Sequence, residues 1–249
     1  PRVRYAGMMQ YDGDLKLPER FLVTPPKIDR TLGEFLARSG KRQVAVSETQ
    51  KFGHVTYFFN GNRSGAFDPS LESYVEIPSD NVDFSEAPAM KAYEIVDATL
   101  SEIDRFSPDF VRVNIANGDM VGHTGVLAAA VEAMRVTDRA VERLVQGVSE
   151  RGGVCVILAD HGNCEEMAER DKKTGELKPG GSPEGFKPAT SHTLNPVPCM
   201  IVGAGAGELY VFDRQVSDPG LANVTATCLA LLGFRAPEGY LPSLVVAKP

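Results

Sequence analysis

Short runs of β-branched and aromatic residues alternate along this chain with longer stretches whose apolar positions recur every three or four residues. The short runs fall at 44–46, 54–59, 110–115, 154–159, 198–202 and 209–212, and each predicts a strand. Between them, Met90, Tyr93, Val96, Leu100 and Ile103 mark one face of a helix. Leu127, Ala130, Val131, Met134, Val141, Leu144 and Val148 mark the face of a longer one, which Gly152 and Gly153 should stop. Residues 31–39, closed by Gly40, and 223–232, closed by Gly233, predict two shorter helices. Strands alternating with helices imply an α/β domain with a mostly parallel sheet. No internal repeat interrupts that pattern.

Two segments stand outside it. Thr24-Pro25-Pro26-Lys27 is stiff and non-helical, so residues 1–28 are expected to be a small preceding piece ending in a hinge, with 29–249 as the main body. Residues 170–189 are polar and rich in Gly, Pro and Lys, which predicts a long solvated loop. A lid is the functional alternative, because the loop ends just before His192. At 249 residues the chain can bury one large core or two smaller ones, and its net charge of −7 gives no basic footprint for nucleic acid or for a membrane surface. No apolar run is long enough to span a bilayer. Cys155, Cys164, Cys199 and Cys228 lack CxxC spacing and read as free thiols, so the cytoplasm is the expected compartment.

The chemistry gathers where predicted strands end. The apolar run 154–159 stops at Asp160-His161-Gly162, and an ordinary strand end needs neither an acid nor a histidine. The run at 110–115 leads into Asn117-Gly-Asp119-Met-Val-Gly122-His123-Thr-Gly125, and Ser191-His192-Thr-Leu-Asn-Pro196 precedes the run at 198–202. Three of the four histidines therefore fall in loops at strand ends, where open parallel sheets place their ligands. Any one of them alone is more often structural than a ligand. Together, two aspartates and three histidines suit divalent metal ions, and five ligands exceed what one open tetrahedral site takes. Two metals would share them, with the second short of ligands, and paired metals are a usual clamp on a transferring phosphoryl group.

These three segments, and Ser47-Glu-Thr-Gln-Lys51-Phe-Gly-His54-Val-Thr-Tyr-Phe-Phe59 with them, closely resemble the motifs of cofactor-independent phosphoglycerate mutases of the alkaline phosphatase superfamily. The long insert before His192 and the start Tyr5-Ala-Gly-Met-Met-Gln-Tyr11 are similar to the plant-type branch. The resemblance implies a three-layer α/β sandwich with a mostly parallel sheet. It implies interconversion of 3-phosphoglycerate and 2-phosphoglycerate in glycolysis and gluconeogenesis through a phosphoserine, with two divalent ions, most often manganese with cobalt or zinc as alternatives, and no 2,3-bisphosphoglycerate. By motif, Asp119, His123 and His192 correspond to the ligands of the first metal, Asp160 and His161 to ligands of the second, and Lys51 to the lysine that meets the phosphoryl oxygens. Without the resemblance Lys51 reads as a solvated lysine before a strand. His54, at the start of the predicted strand, reads as structural.

The family's serine nucleophile, a further aspartate ligand and most of an inserted domain have no counterpart here. The chain is therefore expected to be a C-terminal fragment that needs its missing N-terminal portion, with a monomer as the complete form. Gly118 stands where the family commonly has proline, and Cys164 where it commonly has alanine; the first should only loosen the loop, and the second reads as filler. Two other readings compete. One is another metal-dependent phosphohydrolase or phosphopentomutase of the superfamily, which would share Asp160-His161-Gly162 but not the Lys51 segment. The other is a non-catalytic metal-binding module.

Overall fold

A computed structural model describes residues 3–10, 17–24 and 26–248. Residues 11–16 and Pro25, on which part of the expected N-terminal piece and its hinge fall, lie outside the described residues. In chain order the elements are β1 (Gly7–Met9), β2 (Phe21–Val23), α1 (Leu32–Arg38), β3 (Gln43–Glu48), α2 (Thr49–Gly53), a π-helical turn (His54–Phe58), β4 (Glu72–Ile77), α3 (Ala92–Phe106) and β5 (Phe110–Asn114). They continue as α4 (Asn117–Gly122), α5 (Leu127–Glu150), β6 (Val154–Leu158), β7 (Cys199–Gly203), α6 (Ala206–Leu209), β8 (Tyr210–Phe212), a 3₁₀ turn (Leu221–Asn223), α7 (Val224–Leu231) and β9 (Val245–Ala247). The expected α/β class with parallel pairing is borne out. The residues fall into two compact units, Pro1–Pro78 with Ser101–Asn114, and Ser79–Leu100 with Ile115–Pro249.

The first unit is organised on β3, whose six residues are all buried between its parallel neighbours β4 and β5. Val44, Ala45 and Val46 are wholly inaccessible, and burying each large apolar side chain stabilises by roughly 1.5–3 kcal/mol. Some polar groups enter this core with partners, although Asn60 Oδ1, Arg112 Nη2 and Asn114 Oδ1 are buried without a hydrogen bond. Gln43 Nε2 donates to the Gly33 carbonyl at 3.0 Å, and its Oε1 accepts from Arg112 Nη1 at 3.1 Å. Helix α1 starts at Thr31, whose hydroxyl accepts the Glu34 N–H at 3.3 Å, and Gly40, at φ +69°, lets the chain turn back towards β3.

The strand expected at 54–59 is not formed. Those residues continue α2 as the π-helical turn, so Lys51 sits on a helix rather than before a strand, and His54 is an exposed helical residue beside the Phe58 ring. Phe52, Val55 and Phe59 recur at helical spacing, a signal hidden by the β-branched and aromatic composition. Thr56 Oγ1 satisfies itself by donating to the Phe52 carbonyl at 2.7 Å, and the buried Arg112 guanidinium donates to the Val55 carbonyl at 2.5 Å. Strand β4 escaped sequence reading because Glu72 and Glu76 interrupt its apolar positions.

In the second unit, the ends of α5 match expectation, with Gly152 at φ +75° just beyond it, but the buried face differs. Ala129, Ala130, Ala133, Val136, Ala140 and Gly147 point inward, while Val131 and Met134 are exposed. Small residues are needed because the neighbours come close: a Cβ at Gly147 would lie 2.6 Å from a Leu100 methyl. Upper α5 packs on Val121 and Met167, and its middle packs on Ala92 and Val96 of α3. Strand β6 pairs antiparallel with β7, Leu158 opposite Cys199. Its run reads as a strand buried on both faces, yet Val154 and Leu158 are exposed, as are Met200 and Val202 of β7. All four cysteines are free thiols, and burial, helped by Cys199, pushes Cys228 up to about 11.

The 170–189 stretch is a loop without helix or strand, but an ordered one. Around its base the Glu169 N–H donates to the Lys187 carbonyl, the Lys187 N–H to Lys178 and the Lys178 N–H to Glu169, at 2.8, 2.8 and 2.9 Å. The Glu169 carboxylate pairs with both lysines, at 3.0 Å to Lys178 and 2.7 Å to Lys187.

Candidate metal centre

Asp119 and His123 lie four residues apart along α4 and its C-cap, where the sequence alone suggested an open loop. That spacing puts both side chains on one face of a helical turn. His123 Nε2 comes 2.9 Å from Asp119 Oδ1. His192 arrives from the segment before β7. Because β7 runs antiparallel to β6, the residues that precede it return to the end of β6 where Asp160 and His161 emerge. His192 Nε2 lies 2.9 Å from Asp119 Oδ1 and 3.0 Å from His123 Nε2. Ligand atoms of Asp119, His123 and His192 all fall within 4.8 Å of one another, a grouping that could hold a metal ion.

His161 joins the edge of this cluster. Its ring stacks on His192 with centroids 3.5 Å apart and planes 15° off parallel, and its Nε2 is 3.6 Å from Asp119 Oδ1. Asp160 is the outlier. Its side chain is 69% exposed and, among the described residues, pairs with His161 Nε2 at 3.7 Å, whereas that of Asp119 is 13% exposed. Lys51 stands half-buried on α2 in the first unit.

The donor set suits a cation. His123 Nδ1 lies 2.6 Å from the Thr190 carbonyl, which can only accept, so in the neutral ring the proton belongs on Nδ1 and leaves Nε2 to ligate. That nitrogen, a second imidazole nitrogen and a carboxylate oxygen converge within 4.8 Å, a donor set that suits a divalent ion. A carbonyl behind a ligand imidazole is the usual second layer of such a site. Gly125, at φ +72°, brings this layer close: a Cβ there would lie 2.7 Å from Pro188.

Several supporting groups carry no signal recognisable in advance. Thr190 acts through its backbone, so its identity announces nothing. Glu165 accepts from Thr193, Asn195 and the Asn163 N–H, and it follows the Asp160-His161-Gly162 motif without being part of its metal-binding pattern. Burial pushes the Glu165 carboxyl up, but the Thr193 hydroxyl, the backbone N–H groups and Asn195 outweigh it and hold it below the usual range. Cys164 donates to the Gly118 carbonyl at 2.9 Å and packs on the Val121–Met167 cluster, which agrees with its reading as filler.

An α/β body with a carboxylate and imidazoles converging beside the end of a strand is the arrangement of a candidate metal-binding domain, and the chain belongs to the metalloenzyme superfamily, whose sequence profile matches residues 8–236. It is similar over 98% of its length to the Leptospira interrogans protein named "Probable 2,3-bisphosphoglycerate-independent phosphoglycerate mutase", at 54% identity, and to the 2,3-bisphosphoglycerate-independent phosphoglycerate mutase of Trypanosoma brucei brucei, at 51%. The phosphoglycerate mutase of Leishmania mexicana, crystallised at low cobalt concentration, superposes with a TM-score of 0.92 at 49% identity over all of this chain and 45% of its own. The expected alkaline phosphatase-like fold is the one shared with that structure. The chain spans 44% of the length of both curated relatives.

Proposed function

We propose that this chain carries the metal-binding part of an enzyme that interconverts 3-phosphoglycerate and 2-phosphoglycerate through a phosphoserine, as in glycolysis and gluconeogenesis. The convergence of Asp119, His123 and His192 within 4.8 Å carries this reading, given the relatives' names. Those three residues would hold one divalent ion, and Asp160 and His161 would supply part of the shell of a second. Bound there, the ions would provide electrostatic stabilisation of phosphoryl oxygens and of an attacking or leaving alkoxide. Mixed nitrogen and oxygen donors favour manganese, cobalt or zinc over calcium, which prefers oxygen alone. Manganese is our choice among them, and no 2,3-bisphosphoglycerate is required.

The chain's own residues have distinct tasks. The Thr190 carbonyl holds the His123 proton on Nδ1 and so keeps Nε2 ready to ligate. Asp119, shielded on α4, supplies the negative charge that makes the cluster selective for a cation. The Lys51 ammonium would donate to the oxygens of the transferring phosphoryl group, where a fixed cation stabilises developing charge. The serine would come from the part of the relatives' length that this chain does not span. Residues 1–28 would then close an inserted substrate-holding domain, and 29–249 would form the later part of the phosphatase-like domain. Exposed apolar side chains on α5 (Val131, Met134) and on the β6–β7 pair (Val154, Leu158, Met200, Val202) suit a neighbour from that missing part. A monomeric, cytoplasmic whole completes the proposal.

The pure 249-residue chain should show no mutase turnover, since phosphoryl transfer through an enzyme ester needs its nucleophile. A protein extended to the relatives' length should convert 3-phosphoglycerate, and Lys51→Ala in it should lower kcat by about 10²–10³-fold. Turnover by the 249-residue chain alone, or full activity of Lys51→Ala, would contradict the assignment.

A further inference from the structure

We propose that Glu165 is a positioning residue, tying the His161 loop to the His192 segment so that both imidazoles reach the metal site together. The inference rests on the metal-binding reading above. The two segments meet at one isolated antiparallel bridge, Gly162 opposite Thr193, where the Thr193 N–H donates to the Gly162 carbonyl at 2.9 Å. A single backbone hydrogen bond between two irregular segments is weak fixing for neighbouring residues that must hold a metal geometry.

Glu165 adds the rest. Its Oε1 accepts from the Thr193 hydroxyl and from Asn195 Nδ2, the latter at 3.0 Å, while its Oε2 accepts the Asn163 N–H at 2.7 Å. One carboxylate therefore grips the residue after His192, a residue further along the same segment, and the turn that follows His161. Gly162 makes the closure possible. A Cβ there would lie 2.2 Å from both Glu165 Oε1 and Thr193 Oγ1, so any side chain would pry the knot open. The outcome is visible one residue back on each strand of the bridge, where the His161 and His192 rings stack at 3.5 Å.

The same contacts separate positioning from ligation. Glu165 has both oxygens committed to donors and lies outside the Asp119–His123–His192 grouping, which suits a support more than a ligand. An ionised carboxylate is acceptor-only, and three donors meet it here. Glutamine at this position would have to turn its NH₂ towards a donor whichever way the amide is set. Glu166 offers the natural control, since its carboxylate meets the knot through Asn195 Nδ2 at 3.3 Å, while its N–H, which the substitution keeps, donates to the Asn163 carbonyl at 3.2 Å.

The test is calorimetric titration of the metal-free 249-residue chain with Mn²⁺, paired with the visible absorption spectrum of its Co²⁺ form. Glu165→Gln should weaken Mn²⁺ binding about tenfold and Glu165→Ala by up to about 100-fold, the range typical when the support of a ligand histidine is lost. Both should alter the cobalt bands, which report ligand geometry, while Glu166→Gln should stay within about twofold of the parent. The near-isosteric Gln variant carries the test should the Ala variant not fold. If the parent chain binds and His192→Ala does not, yet Glu165→Gln keeps the parent's affinity and cobalt spectrum, the positioning role is wrong and the metal site stands. If the parent and His192→Ala behave alike, the metal reading itself fails.

Discussion

Asp119 and Asp160 both follow strand-to-loop transitions and both stand near His161, but the chain treats them differently. Asp119 is on a helical turn, shielded to 13% exposure, with two imidazole nitrogens at 2.9 Å and a third at 3.6 Å. Asp160 is 69% exposed and meets one imidazole at 3.7 Å. The helix makes the difference: an i, i+4 pair on one turn converges before any ion arrives, whereas adjacent residues at the end of a strand start out pointing apart. One candidate ligand group is thus gathered within this chain, and the other, in the function proposed above, would be completed by partners. Preorganisation is what lets a site bind without spending affinity on ordering its own ligands.

Removing a candidate ligand from each group should expose that contrast. His192→Ala is expected to lower Mn²⁺ affinity at the Asp119–His123–His192 site, the firmer of the two proposed, by more than about 100-fold, beyond the loss of an outer-shell support. Asp160→Asn should leave that site within about threefold and erase only a second, weaker binding step. Equal damage from the two changes, read by calorimetric titration, would mean that the exposed aspartate belongs to the same shell and that the contrast is false.

Acid should sharpen the same contrast. A ligating imidazole must be free of its proton on the lone-pair nitrogen, so protons compete with metal and affinity falls on acidification, never on making the solution more alkaline within the neutral range. Two histidines would serve the firm site, so its affinity should drop by about two decades per pH unit in the acid limb. A site with one histidine should drop by about one. Titrations at several acidic pH values give the slopes directly, and a firm site with the shallower slope would assign His123 or His192 a purely structural place.

The ligands were more legible in the sequence than their scaffolding. Asp119, His123 and His192, which the structure brings together, could be gathered from three strand-end motifs because carboxylate and imidazole side chains are what a sequence prints. The Thr190 carbonyl and the Gly162–Thr193 bridge act through the backbone and leave no residue-type signature. Residues 54–59 were misread because a short apolar run does not reveal its period, and a π-helical turn held by Arg112, far off in sequence, decided the matter. The face of α5 was misjudged for a related reason. Weighting large apolar residues favoured Val131 and Met134, while close helix packing selected the alanines. Strand β6 was legible as a strand, and its exposed residues follow from having β7 as its one partner among the described residues.

The smallest effect is expected from cutting the chain. Within 170–189, Lys172 and Lys173 occupy an exposed turn in which the Asp171 carboxylate accepts the N–H groups of Lys173 and Thr174 at 2.8 and 3.0 Å. Lys178 and Lys187 both precede proline, which trypsin cuts poorly, and both are paired with Glu169. Limited trypsin should therefore nick first after Lys172 or Lys173, at a loop tip with little to unfold. The nick lies outside the hydrogen bonds at the loop base, and Ala189, next to Thr190, is held separately by its N–H on the Met167 carbonyl at 2.9 Å. The nicked protein should thus keep its Mn²⁺ affinity within about twofold, because the local fixing of the ligand histidines does not pass through the tip. Peptide mapping locates the cut, and titration before and after it reads the consequence. A first cut inside α5 would refute the assignment of helix and loop, and a large loss of affinity after a cut at the tip would make the whole excursion part of the site.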